Sequence, residues 1–550
     1  MTKSYGQWIG GSWRAPVRGH YPIINPATEK PVGYAPDGDP AEVDAAARAA
    51  RAALERWSRT APNERAAILD RIADLLLDRA RELVPLLQVE TGATMRVATT
   101  MQLPPAVDRF RRYARGAVES DTIPLAPRPV RATPLAVGGL LGAAAVRRPV
   151  GVVACITSYN FPVVNLAGKV APALAMGNTV VAKPAPQDPL ACLELGPIFQ
   201  EAGLPDGVFN VVTGSGAEVG AALVAHPDTD MVSFTGSTAV GKRIAESAGR
   251  TMTRTLMELG GKGAAVVLED ADESTILSAV RGVGSTWAFH SGQICTAPTR
   301  VLVHRSLYEP FVAALTDYAG SLTVGDPVDN STMVGPLISA AQRDRVEAYV
   351  AGAREQGARV IRGGRTLGGD GAIGGDGAIV GDGGVGGGDS ACGGDSARGA
   401  DSSRGAGGVR SGNGVRGGDG GAPGGVESGP RGPGFSVPPT LITEATPDMA
   451  VAQEEIFGPV VVVLPFGDED EAVRIANGTP YGLYDYIYSA DAGRAWELAA
   501  RLRSGNIGIN TVQRHPETPF GGFKESGVGR DGGSFGLHAY SELQSVVWPS

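Results

Sequence analysis

The sequence is short of cysteine, of excess basic charge and of long apolar runs, and each shortage closes off a class of function. Only four cysteines occur, Cys155, Cys192, Cys295 and Cys392. They show no paired spacing and no Cys-x-x-Cys, so neither a disulfide framework nor a zinc or redox site is expected. Acidic residues outnumber basic ones, 58 against 49, and a formal charge of -9 gives nucleic acid nothing to bind. The most apolar region, Val137 to Gly177, is cut by Arg147, Arg148, Asn160 and Lys169. No stretch of about 18 apolar residues is left to span a bilayer. The opening residues, MTKSYGQWIGGSWRAP, lack a signal peptide's apolar centre. The expected location is therefore the cytoplasm, without membrane or nucleic-acid partners. The six histidines are scattered, and no metal site is expected.

With 43% apolar and 19% charged residues, the composition is that of a globular protein, and 550 residues are too many for one core. Two or three packed units are expected. From 371 to 434 the chain changes character: 27 of these 64 residues are glycine, in imperfect repeats such as GGDGAI and GGDSA. Burial there cannot offset the entropy of ordering, so the segment reads as a flexible surface insertion.

Elsewhere helix and strand signals alternate. "AEVDAAARAARAALERW" and "NERAAILDRIADLLLDRARELVPLLQVE" carry helical apolar periodicity, with Pro40 and Pro62-Asn63 as start signals. Apolar runs at Gly151 to Thr157, Thr179 to Ala182, Val208 to Val212 and Met231 to Phe234 are then separated by helical stretches. Short strands alternating with helices imply a parallel, doubly wound α/β sheet, with ligands at the carboxyl ends of its strands. "TGSGAEVG" and "SFTGST" each place glycines between a strand and a helix N-terminus, where free N–H groups suit a phosphate. A plain N-cap at Ser237 or Thr238 explains the second equally well. "AFHSGQICTAPTR" raises a similar choice, because a lone intracellular cysteine is either a buried filler or a nucleophile.

"SYNFP", "VAKP", "FTGST", "MELGGK", "GQICTA", "EEIFGPV" and "PFGGFKESGVGR" follow one another in this order. Together they resemble the aldehyde dehydrogenase superfamily, over essentially the whole chain outside the glycine-rich segment. The resemblance implies oxidation of an aldehyde to a carboxylic acid by NAD(P). In that chemistry Cys295 is the thiolate, Asn160 with the Cys295 N–H binds the oxyanion, and Glu258 activates water to hydrolyse the thioester. Relatives that pass the acyl group to coenzyme A generally lack this glutamate, so a free acid is the expected product.

Cofactor roles implied in the same way are Lys183 for the adenosine ribose, Gly236 and Ser237 for the pyrophosphate, and Glu455 with Phe457 for the nicotinamide ribose and ring. One departure stands out. Many NAD-preferring relatives carry a glutamate three residues past the lysine, and Pro186 stands there in this sequence, which leaves NADP open beside NAD. By resemblance the fold is a Rossmann-like unit at 1–126 and 150–259 and an α/β catalytic unit at 260–526. Segments 127–149 and 527–550 are expected to build a homodimer or homotetramer. In the aldehyde pocket Phe161, Phe289 and Phe520 are expected as apolar walls. Asn165 and Gly168 replace larger apolar residues, so a roomy pocket for an aromatic or long aliphatic aldehyde is expected. Arg514 and His515 would otherwise be solvated loop charges, or would draw a carboxylate to the tunnel mouth. Two other readings stand beside the dehydrogenase: a cofactor-independent thiol hydrolase and a non-catalytic structural relative.

Overall fold

Asp39 opens the first long helix, Pro40–Ser58, by accepting the N–H groups of Ala41 and Glu42, while the Glu42 carboxylate returns to the Asp39 N–H. This reciprocal cap satisfies donors that a helix start otherwise leaves open. The next helix, Pro62–Asp78, buries the stripe Ile68, Leu69, Ile72, Ala73 and Leu76. Helical periodicity runs on to Glu90 in the sequence, but the chain leaves helical geometry at Arg79 and resumes as Ala80–Thr91. The structure is a computed structural model that describes residues 3–549 apart from 120, 136, 364 and 367–432. The expected insertion at 371–434, including Cys392, thus lies outside the described residues except for its last two positions.

The first large sheet has eight strands. At its centre Phe209–Val211, Thr179–Lys183, Val152–Ile156, Met231–Thr235 and Arg254–Glu258 run parallel in that spatial order. These strands are buried on both faces, as continuous apolar runs require. The chain fills one side of Val152–Ile156 and then crosses to the other, which makes a doubly wound sheet with a switch point beside Ile156. Thr157, Lys183, Gly236 and Glu258 therefore gather at one edge.

The second sheet has seven strands, with Ala264–Val267, Arg300–His304, Val460–Phe466 and Tyr484–Tyr488 in its middle. Cys295 lies in the loop that leads into Arg300–His304. The strands Arg359–Arg362 and Thr440–Thr443 pair antiparallel, and Gly363 donates to Pro439 O at 2.7 Å, so the chain on either side of the glycine-rich segment is held together as a stem.

A third sheet joins Thr122–Val130, Gly139–Pro149 and Ser541–Pro549 antiparallel. Its limits differ from the segments expected at 127–149 and 527–550. It begins earlier, at Thr122, and Gly527–Val528 pairs instead with Arg254–Glu258 of the first sheet. Only Ser541–Pro549 of the last segment joins it. Leu125, Leu140, Leu543, Val547 and Trp548 are exposed on this sheet.

Candidate active site

Three consecutive residues before Cys295 are left-handed: His290 (φ 47°), Ser291 (φ 57°) and Gly292 (φ 71°). Such backbone is costly for a residue with a Cβ, so it persists only where surrounding contacts hold it. Here His290 Nε2 lies 2.7 Å from Asn160 O, Ser291 Oγ donates to Gly335 O at 2.7 Å, and Gln293 Oε1 accepts the Ile338 N–H at 3.0 Å. A Cβ at Gly292 would strike the main chain of Gly458. Burial pushes the His290 imidazole down to about 4, so near neutral pH the ring is uncharged and its Nε2–H donates to Asn160 O. Cys295 is buried behind this turn, and a Cβ at Gly261 would meet its carbonyl oxygen at 2.7 Å. The glycines of "MELGGK" thus let the end of the Glu258 strand approach the cysteine.

Asn160 lies just ahead of the helix Pro162–Ala175 and is buried. Its Oδ1 accepts from Ser158 Oγ at 3.2 Å, and its Nδ2 donates to Gln293 O at 2.7 Å. A carbonyl can only accept, so this contact fixes which end of the amide faces the cysteine loop. One amide N–H is used there; the other remains for a second acceptor. Asn165 Nδ2 donates to Ser158 Oγ at 2.9 Å and Gln102 Nε2 to Asn160 O at 3.0 Å, holding the arrangement from behind.

Glu258 ends its strand in register with Thr235 and Gly527. It is buried, and among the described residues neither carboxyl oxygen has a hydrogen-bond partner. Burial, helped by the charge of Asp531, pushes its carboxyl up to about 8, while Lys169, Arg514 and Arg530 pull the other way. Lys169 is buried too, its Nζ donating to Ser233 Oγ at 3.2 Å, and that hydroxyl lies 2.8 Å from Tyr540 OH. Sequence reasoning missed Lys169 as a site residue and used it only as a charge that breaks an apolar run.

On the other side of Glu258, a cavity of about 490 Å³ lies along the sheet's carboxyl edge. Lys183, Pro186, Gly216, Ser237 and Arg243 line it, and no acidic residue does. Ser237 Oγ caps the helix Thr238–Gly249 by accepting the Val240 N–H at 3.4 Å. A Cβ at Gly236 would run into the Phe234 ring, so a larger residue at this turn would have to displace that ring. Glu455 Oε1 accepts the Gly261 N–H at 3.1 Å; Phe457 is left-handed (φ 63°) and meets Tyr159 edge to face at 5.6 Å. Glu455 is thereby tied to the glycine turn that follows Glu258. A parallel-sheet edge, a capped helix start and basic side chains in the cavity lining fit a dinucleotide.

Phe161, Asn165 and Gly168 share one face of their helix, as their spacing requires. Phe161 lies 5.1 Å from the His290 ring, so this face looks toward the cysteine loop. The room expected above Gly168 is not there. A Cβ at that position would collide with the guanidinium of Arg109, which reaches across from the helix Leu103–Ala117 and donates to Val164 O at 2.9 Å. The glycine makes space for an arginine that is distant in sequence. Phe289 is half-buried beside the same apolar cluster, and Phe520 is fully buried. Arg514 does not trail into solvent: its guanidinium carbon stands 3.7 Å from the Phe520 ring centre. His515 is exposed, its ring nitrogen taken up by the Glu517 N–H at 3.3 Å.

Among the described residues there is no group of three or more candidate metal ligands, and no helix long and apolar enough to cross a membrane. A model of the aldehyde dehydrogenase family matches residues 13–378 and 414–546. The chain is 34% identical to a 3-succinoylsemialdehyde-pyridine dehydrogenase from a Pseudomonas species, covering 98% of each chain. It is 35% identical to a betaine aldehyde dehydrogenase from Brucella anthropi, covering 98% of this chain and 96% of the other. Among solved structures, a mutant aldehyde dehydrogenase C from Pseudomonas syringae, complexed with NAD+ and octanal, matches with a TM-score of 0.81 and 34% identity, over 98% of this chain and 96% of the other.

Proposed function

Because the chain belongs to the aldehyde dehydrogenase family, and so oxidises an aldehyde with a nicotinamide dinucleotide, we propose that Cys295 is its nucleophile, Asn160 its oxyanion donor and Glu258 its base. The Cys295 thiolate attacks the aldehyde carbon, and the negative charge that develops on oxygen meets the Asn160 amide and the Cys295 N–H. A nicotinamide held by Glu455 and Phe457 would supply the hydride acceptor, and loss of hydride leaves the adduct as a thioester on Cys295. Glu258 then takes a proton from water, which attacks the thioester carbon; the acid leaves and the thiolate is restored. A carboxyl pushed up to about 8 by burial suits that task, since it is basic enough to accept the proton and close enough to neutrality to release it.

The observation that carries this reading is the Asn160 amide, fixed at 2.7 Å to Gln293 O, two residues before Cys295. The cofactor is NAD. Lys183, Gly236 and Ser237 would hold its adenosine and pyrophosphate, and Glu455 with Phe457 its nicotinamide end. Pro186 and Arg243 beside Lys183 support NADP as a second, weaker-discriminated cofactor. Exposed Leu125, Leu140, Leu543, Val547 and Trp548 on the three-stranded sheet support a homodimer or homotetramer closed through that face. The absence of paired cysteine spacing in the sequence is in keeping with a cytoplasmic protein. A thiol hydrolase would leave the cavity at Lys183 and Ser237 without a task, and a non-catalytic relative would leave the buried Glu258 carboxyl without one.

The test is aldehyde-dependent NADH formation across a panel of aldehydes, expected in the wild type and lost in Cys295→Ala. Ester cleavage by Cys295 with no NADH from any aldehyde would favour the hydrolase instead.

A further inference from the structure

Two guanidinium groups from distant parts of the chain pack against the surroundings of Asn160 and Cys295: Arg109 against the helix that carries Asn165, and Arg514 on Phe520, which shares an apolar cluster with Cys295. Arg109 fills the gap at Gly168, on the helix face whose other residues, Phe161 and Asn165, reach the His290 ring and the Ser158 hydroxyl. Arg514 approaches from the catalytic side, over the Phe520 ring. Beside it stand Tyr484 and Tyr486, stacked at 4.7 Å, and the Tyr486 hydroxyl donates to the carbonyl of Thr296, the residue after Cys295. One arginine thus stands on the Asn160 side and the other on the cysteine side, near enough that the charge of Arg514 bears on Arg109.

We propose that Arg109 and Arg514 form a carboxylate site, and that the substrate is an aldehyde carrying a carboxylate at its far end, an ω-oxo acid. The proposal rests on the dehydrogenase reading and names the substrate class for that site. It replaces the apolar aldehyde expected from Phe161, Phe289 and Phe520.

Charge balance supports it. Arg109, Lys169 and Arg514 all feel Asp531, and Glu258 is the other carboxyl acting on Lys169 and Arg514. Glu258, its carboxyl pushed up to about 8, offers these cations little negative charge at neutral pH. Burial opposes the charge of each cation, and that cost falls when an anion enters. A guanidinium presents a planar fork of donors that matches a carboxylate. The same field disfavours an aldehyde with a quaternary ammonium group.

The test compares kcat/KM for succinic and glutaric semialdehydes with butanal and pentanal, aldehydes of equal carbon number, by NADH formation. The acids are expected to be preferred by about 10-fold or more, and Arg109→Gln and Arg514→Gln each to cut that ratio by about 10-fold or more. Glutarate is expected to inhibit the wild type in competition with the aldehyde and to bind Arg514→Gln at least about 10-fold more weakly. Arg514 lies in a loop, so this second variant decides the matter if Arg109→Gln does not fold. Equal or better use of butanal and pentanal, a ratio unchanged in Arg514→Gln, or betaine aldehyde turned over as well as pentanal would each overturn the carboxylate site while leaving aldehyde oxidation standing. NADH from none of these aldehydes would overturn the oxidation reading, and the site's role with it.

Discussion

The side-chain amide of Asn160 is bound at 2.7 Å to the carbonyl of Gln293, so the oxyanion donor and the nucleophile's loop are one hydrogen-bonded unit. His290 Nε2 and Gln102 Nε2 both donate to the carbonyl of the same asparagine. A donor held this firmly needs no reorganisation when charge develops. Asn160→Ala is therefore expected to lower kcat by about 100- to 1,000-fold. Circular dichroism and the melting temperature would check that the loop has not collapsed with it.

Glu258 gives a pH dependence with a definite sign. As a base it works when deprotonated, so hydrolysis-limited kcat should rise with pH through about 8. Stability should move the other way. The folded-state carboxyl titrates near 8 and the ordinary value is 4.5, so across that window the folded chain holds a proton that the unfolded chain has released. Folding stability therefore declines as pH rises from 4.5 to 8. Glu258→Gln cannot titrate and should lose less melting temperature than the wild type over that range, as thermal scans at the two ends would record.

Cofactor choice should respond to position 186. The cavity there is lined by Lys183 and Arg243 without an acidic residue. Pro186→Glu would place a carboxylate against a 2′-phosphate, and the NAD over NADP ratio of kcat/KM is expected to rise by at least about 10-fold. A ratio unchanged by the substitution would put the discrimination elsewhere in the ribose pocket.

The parts of this molecule that sequence made legible are local ones. The helices Pro40–Ser58 and Pro62–Asp78 begin at the prolines that signalled them, and the strands Val152–Ile156, Thr179–Lys183 and Met231–Thr235 fall within a residue or two of their apolar runs. Cys295, Glu258 and Asn160 stood out because each sits in a contiguous motif. What stayed hidden depends on contacts across long stretches of chain. Nothing in "AFHSG" announces that His290 and Ser291 turn left-handed, because the contacts that hold them come from Asn160 and Gly335. Lys169 reaches Ser233, and Ser233 reaches Tyr540. Gly168 read as empty space because Arg109, the side chain that fills it, belongs to another helix.

The central claim, that Cys295 and Glu258 act on opposite sides of a thioester, is tested most directly by rapid mixing of Glu258→Gln with aldehyde and NAD. The expected trace is a burst of NADH near one equivalent per active site, followed by slow turnover, with no NADH at all from Cys295→Ala. Full aldehyde-dependent NADH production by Cys295→Ala, or steady wild-type turnover without a burst in Glu258→Gln, would contradict it.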